Sequence, residues 1–241
     1  MPTLLIRLTG PLQSWGSQSR FSTRSTENAP TKSGVFGLIA AAQGRRRSDS
    51  ITDLLELSFG VRIDQPGRLV RDFQTAKSRD GSVSMPLSYR YYLCDATFLA
   101  GVYSEDAELL AGIQGALRAP GYPLYLGRRS CPPAGPLFTE IVDGTAREAL
   151  ARAPWQAAAH HQRANAAAHV SLRILSDSTD ADADDAAERI HDEPVSFDSD
   201  RREYNWRRVV STVVTVPNPQ FVAKPGTPDD HDPMLVLTEG F

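Results

Sequence analysis

A chain of 241 residues with 41% hydrophobic and 23% charged residues has an ordinary globular mix, enough for one large or two small domains with a buried core. Two cysteines, Cys94 and Cys131, exclude a disulfide framework and a thiolate metal cluster, and no apolar run approaches the ~20 residues of a membrane span. The net charge of −3 is unevenly divided: residues 1–135 carry 16 Lys+Arg against 11 Asp+Glu, and residues 136–241 carry 10 against 18. A reduced, cytoplasmic protein without a membrane partner is expected. Its basic half suits a polyanion, although acidic loops serving solubility alone would give the same division.

In chain order, the branched apolar run at 3–9 predicts a strand ending at Gly10-Pro11. The Ser/Thr/Gly-rich stretch 10–30 predicts a long loop. Ser33 or Thr31 can cap a helix carrying Val35, Phe36, Leu38, Ile39 and Ala42, which "GRRRSDS" (44–50) ends. Ser50 with Asp53 has capping-box spacing for a second helix. Strands are expected at 59–64 and 68–75, joined as a hairpin at Pro66-Gly67, and at 89–103 after a polar stretch at 76–88. Leu109, Leu110, Ile113 and Leu117 give helical spacing over 105–120. The second half predicts strands at 137–142, 169–175, 194–198 and 206–216 and a short helix at 145–152, a smaller, mostly β region. The acidic stretch 176–193 and the proline-rich 217–241 predict no packed structure. Strands mixed with helices place the first half in the α+β class, with a ferredoxin-like unit.

Asp180, Asp182 and Asp184 alternate as in a calcium loop, but Asp185 and His191 stand where that loop needs glycine and glutamate. None of the five histidines precedes His160, and there is no H-E-x-x-H, G-x-S-x-G or P-loop pattern. No metal or other cofactor and no catalytic residue is therefore expected.

The basic half instead carries the tools of single-strand RNA recognition, in which guanidiniums grip phosphate and aromatic faces stack on splayed bases. Trp15 lies in the loop after the first strand, Arg45, Arg46 and Arg47 at a helix end, and Arg71 with Phe73 on one strand face. "YLGRRS" adds Tyr125, Gly127, Arg128, Arg129 and Ser130, with Gly127 allowing a close backbone approach.

"LTGPLQSWG" (8–16), "PTKSGVFGLIAA" (30–41), "VRDFQT" (70–75), "YRYYLCDATF" (89–98) and "YPLYLGRRSCPPAGPLF" (122–138) together resemble the CasD family, with a weaker echo in "HVSLRIL", "DEP" and "RREYNW". The family supplies a subunit of the type I-E CRISPR surveillance complex, Cascade. The resemblance implies an RRM-like, RAMP-type ferredoxin-like domain at 1–140 with a β-hairpin thumb at about 76–90. A smaller β region, at 141–216 here, would follow. The chain departs from the family in a short thumb and in an inserted acidic stretch at 176–191, read as part of a surface loop at 176–193, and its proline-rich 217–241 reads as a flexible tail. The resemblance implies a non-catalytic subunit for antiviral defence that caps the complex by binding the 5′ handle of crRNA. It would pack on the backbone and large subunits and meet target DNA only through the complex. Carried over, Gln13, Trp15, Lys32, Ser33, Gly34 and Tyr125–Pro132 would form the handle pocket. Arg128 and Arg129 would hold phosphates, with Lys32, Arg45–Arg47 and Arg71 as further candidates, and Trp15 and Tyr125 would support bases. Two readings compete. One is a metal-independent endoribonuclease processing repeat RNA with Lys32, Tyr125, His160 and His161; the other is a cap that touches protein alone.

Overall fold

The computed structural model describes residues 1–16, 23–179, 181–182, 186–198 and 200–222. Its strands are β1 (Pro2–Gln13), β2 (Thr23–Arg24), β3 (Ser58–Gln65), β4 (Arg68–Gln74), β5 (Ser88–Tyr103), β6 (Thr139–Asp143), β7 (His169–Asp177), β8 (Ala187–Ser196) and β9 (Glu203–Pro217). They form one sheet in the order β6-β1-β5-β3-β7-β9-β8, with β2 and β4 attached to β5. Every pairing is antiparallel except the short β2–β5 bridge.

Alternation sends Leu4, Ile6 and Leu8 to one face and Leu5 to the other. On the first face, α1 (Lys32–Ala42) and α3 (Ala107–Arg118) cover the main core with Val35, Phe36, Ile39, Leu110 and Ile113. Thr31 caps α1 by accepting from the Gly34 amide, and Asp106 caps α3. On the opposite face, α4 (Ala146–Arg152), opened by a Thr145–Glu148 capping box, presses Leu150 onto the sheet. Gly60 and Gly101 pair across β3 and β5 directly beneath it, and a Cβ on either would stand 3.0–3.2 Å from the Leu150 side chain. Deep beside this contact, Arg62 and Asp64 form a fully buried pair, and Arg62 also donates to the carbonyls of Leu150, Ala153 and Pro154. The ion pair therefore fastens the end of α4 to β3 with its donors satisfied.

Several expectations are corrected. β1 continues past Gly10-Pro11 to Gln13. β6 has left it by Ile6, and the segment 126–134 takes over, with Ser14 N donating to Leu126 O and Ala134 N to Thr9 O. Residues 17–22 of the expected loop lie outside the described residues. The second helix, α2 (Thr52–Leu55), is a single turn without a side-chain cap, because the Asp53 carboxylate pairs with Arg45. A further short helix, α5 (Ala159–Ala164), was not expected.

The hairpin expected at Pro66-Gly67 does not form. β3 pairs with β5 from Ser58↔Tyr103 to Gln65↔Thr97, and β4 then continues along the same strand from Arg68↔Cys94 to Gln74↔Ser88. Pro66-Gly67 is a step within one line of strand. Gly67 has φ +71° and Asp95 opposite has φ +56°, and Gln65 Nε2 donates to Asp95 O at 2.6 Å. β4 instead forms a hairpin with the first half of β5, and 76–90 covers its loop and the start of one arm.

The acidic stretch is also more ordered than its composition suggests. Its ends are strand, in β7 to Asp177 and β8 from Ala187, while Asp180 and residues 183–185 lie outside the described residues. The start of the expected tail is anchored: Asn218 Nδ2 donates to the carbonyls of Gln162, Asn165 and Ala167. Residues 223–241 lie outside the described residues.

Candidate nucleic-acid interface

The glycine-arginine turn is built on β1. Gly127 has φ +85°, and an added Cβ would overlap the Ser14 carbonyl. That approach docks the turn beside Trp15 and leaves Arg129 and Ser130 exposed. Arg128 turns inward. Its guanidinium donates to the carbonyls of Tyr91 (3.1 Å), Arg24 (2.8 Å) and Ser25 (3.1 Å) and lies 5.0 Å from the centre of the Tyr92 ring. Arg128 is thus a brace joining the turn, β2 and β5, a role its expected assignment as a phosphate ligand did not include.

The brace sets Arg24 in register with Arg90, side by side on β2 and β5. Arg90 Nε is buried without a hydrogen-bond partner, and Ser130 Oγ lies 3.4 Å from the Tyr92 hydroxyl. Through the Arg128 brace, Arg24 and Arg90 stand on strands tied to the turn that carries Arg129 and Ser130. Reading the sequence missed Arg24 and Arg90. "YRYY" carried a signal for Arg90, an arginine among tyrosines, but nothing local marked Arg24. On the hairpin, the pairings Leu69↔Leu93, Arg71↔Tyr91 and Phe73↔Tyr89 share a face. Arg71 lies 5.2 Å from the centre of the Tyr89 ring, and Phe73 is 66% exposed.

Other expected site residues are structural. Trp15 is fully buried and donates through Nε1 to Gln13 Oε1, while Gln13 Nε2 donates to Leu8 O and Ala96 O. Neither reaches the surface, which corrects both assignments. Gly34 packs against the Trp15 ring, where an added Cβ would approach to 2.7 Å, and Ser33 is buried beside Thr31.

Lys32 is 4% exposed, with its ammonium 3.2 Å from Asp177 and 3.0 Å from Glu193, while its backbone amide donates to Asp192. Arg207 completes the cluster with Asp177 and Asp192 at 2.6 Å each. Burial alone would lower the Arg207 pKa, but the two carboxylates raise it above the ordinary value. Lys32 therefore ties α1 to β7 and β8 and is withdrawn from ligand binding.

Arg45 pairs with Asp53, whose carboxyl it holds below the usual range. Arg46 and Arg47 are exposed, but they follow α1 at the end opposite Lys32 and Trp15, roughly 16 Å of helix away. Tyr125 is half-buried on the segment leading to the turn. His160 faces Asp95 and His161 meets the Trp155 ring edge-on, so the two histidines share no contacting residue with Lys32. Among the described residues no group of three or more His, Cys, Asp or Glu could hold a metal, and Asp182 pairs with Arg147. No described helix is long and apolar enough to cross a membrane.

A family profile described as CRISPR-associated protein (Cas_Cas5) matches residues 3–210. The CRISPR system Cascade subunit CasD of Escherichia coli (strain K12) is 36% identical over 154 residues, covering 56% of this chain and 69% of that protein. A chain of a CRISPR RNA-guided surveillance complex superposes with a TM-score of 0.72 at 32% identity, over 93% of this chain and 95% of the other. A crystal structure of a Cas protein gives 0.67 at 36% identity, over 93% and 100%.

Proposed function

The chain belongs to the CRISPR-associated Cas5 family, and from that premise we propose that it is the non-catalytic Cascade subunit that grips the 5′ handle of crRNA. The observation that carries this reading is the turn at Gly127, docked on β1 so that Arg129 and Ser130 face outward, and tied through Arg128 to the strands that carry Arg24 and Arg90. Four such groups that donate and do not need an internal carboxylate suit a bent sugar-phosphate chain. Phe73 and the Arg71–Tyr89 pair on the hairpin supply a stacking face nearby. The order β6-β1-β5-β3, with α1 and α3 as crossovers, fits a ferredoxin-like unit in which the β4–β5 hairpin is the thumb. Exposed Val83, Met85 and Leu87 near its tip suit packing on the backbone subunit, with the large subunit as the other protein neighbour and target DNA reached only through the complex. The endoribonuclease reading loses support because Lys32 is locked by two carboxylates.

Handle binding by Arg90→Ala and Arg129→Ala proteins, titrated across salt concentrations, tests the assignment. Each phosphate contact removed should weaken binding and reduce the salt slope by about one. Unchanged affinity and slope in the double variant would refute it, and specific cleavage of repeat RNA in EDTA would restore the enzyme.

A further inference from the structure

The acidic half of the chain sorts its charges by strand parity. On β9, Arg207 points inward to Asp177 and Asp192, whereas Trp206 and Arg208 alternate to the other side. There the cross-strand pairs are Arg189↔Arg208, His191↔Trp206 and Pro194↔Tyr204. The Arg189 guanidinium lies 5.7 Å from the centre of the Trp206 ring and the His191 ring 4.9 Å from it, while Arg202 lies 5.6 Å from the Tyr204 ring. His191 Nε2 is 3.0 Å from the Tyr204 carbonyl, which can only accept, so that nitrogen carries a proton and the imidazole is pinned. Among the described residues, Glu203 pairs with Arg201 at 3.6 Å and Glu188 stands at the alternate parity. Trp206 is 53% exposed, whereas Trp15 and Trp155 are 0% and 5% exposed.

We propose that this face of β8 and β9 is a second binding surface, for single-stranded nucleic acid, with a base stacked on Trp206 and flanking phosphates held by Arg189 and Arg202. The core of a protein-docking surface is depleted of charge, but here each ring is bordered by a guanidinium. That alternation of cation and π-face complements a strand carrying one phosphate per base and reads no particular sequence. The face stands three strand steps from β5, roughly 14 Å, so it is separate from the Arg90–Arg129 cluster and independent of the handle reading.

All three indoles emit, but with the other two buried only Trp206 can be quenched by direct stacking of a strand. Titration with oligo(dT) and oligo(U) 15-mers should quench it saturably at low salt, and added salt should reverse the effect; quenching by either strand supports the surface, and their ratio shows which is preferred. In an Arg90→Ala/Arg129→Ala background, labelled oligonucleotide should still bind by anisotropy, and adding Trp206→Ala or Arg189→Ala should weaken that binding about tenfold. An unaltered melting temperature would show that the variants remain folded. Absence of quenching, or anisotropy insensitive to both substitutions, would overturn the proposal. So would quenching that arises only when other subunits of the complex are added, because the face would then be a protein interface.

Discussion

Lys32 illustrates how a side chain's partners override its sequence context. In "PTKSG" it reads as a cation at a helix start, a natural anion ligand. Its partners lie 145 and 161 residues away in an acidic stretch whose composition suggested no packed structure, so no local pattern could have disclosed them. Replacing Lys32 with Met leaves Asp177 with Arg207 but Glu193 without its cation. The substitution should lower the unfolding free energy by about 2 kcal/mol, less than full burial would imply because both carboxylates are partly hydrated. Urea denaturation measures this, and handle binding by the folded protein should be unchanged, which separates Lys32 from Arg129. Gly127 was legible, since a glycine before two arginines signals a sharp turn. That Arg128 would be absorbed as a brace depended on carbonyls from two distant strands and was not.

At the scale of elements, a cap located the helix over 32–42 and amphipathic spacing the one over 107–118, because those signals are local, and the short helix expected at 145–152 forms over 146–152. The β3–β4 junction failed for the opposite reason. Pro-Gly favours either a reversal or a bulge, and the choice rests with β5, which pairs with both strands in turn. The hairpin loop has its own electrostatic lock. The hydroxyls of Ser78 and Ser82 donate to Asp80 and hold its carboxyl at about 2, against an ordinary 3.8. A depressed carboxyl stabilises the fold above its ordinary pKa and stops doing so as pH falls through the depressed value. The turn at the tip should therefore loosen between about pH 4 and pH 2, read by NMR as a lower protection of the Ser82 amide relative to its intrinsic exchange rate at each pH. Asp80→Asn should show part of that loosening already at neutral pH.

For the whole molecule, the two halves expected from composition share one sheet. β7 is hydrogen-bonded to β3 from Gly60↔Ser176 to Ile63↔Arg173, and the Lys32–Asp177–Asp192–Arg207 cluster closes the seam. A truncated chain ending after β6, at residue 143, would expose the β3 edge and leave Lys32 buried beside no carboxylate. It should aggregate or be digested readily in limited proteolysis, whereas the chain ending at residue 222 should be resistant. The sheet's centre is also where the hairpin arm begins, since β5 lies between β1 and β3 from Thr97 to Tyr103 and pairs with β4 from Ser88 to Cys94. At the base of the arm Asp95, within the 16-residue β5, and Gly67, opposite it between β3 and β4, both take left-handed backbone angles. Load on the arm is passed through Arg90 and Tyr91 to β2 and the Gly127 turn, so the arm and the turn respond to it as one piece.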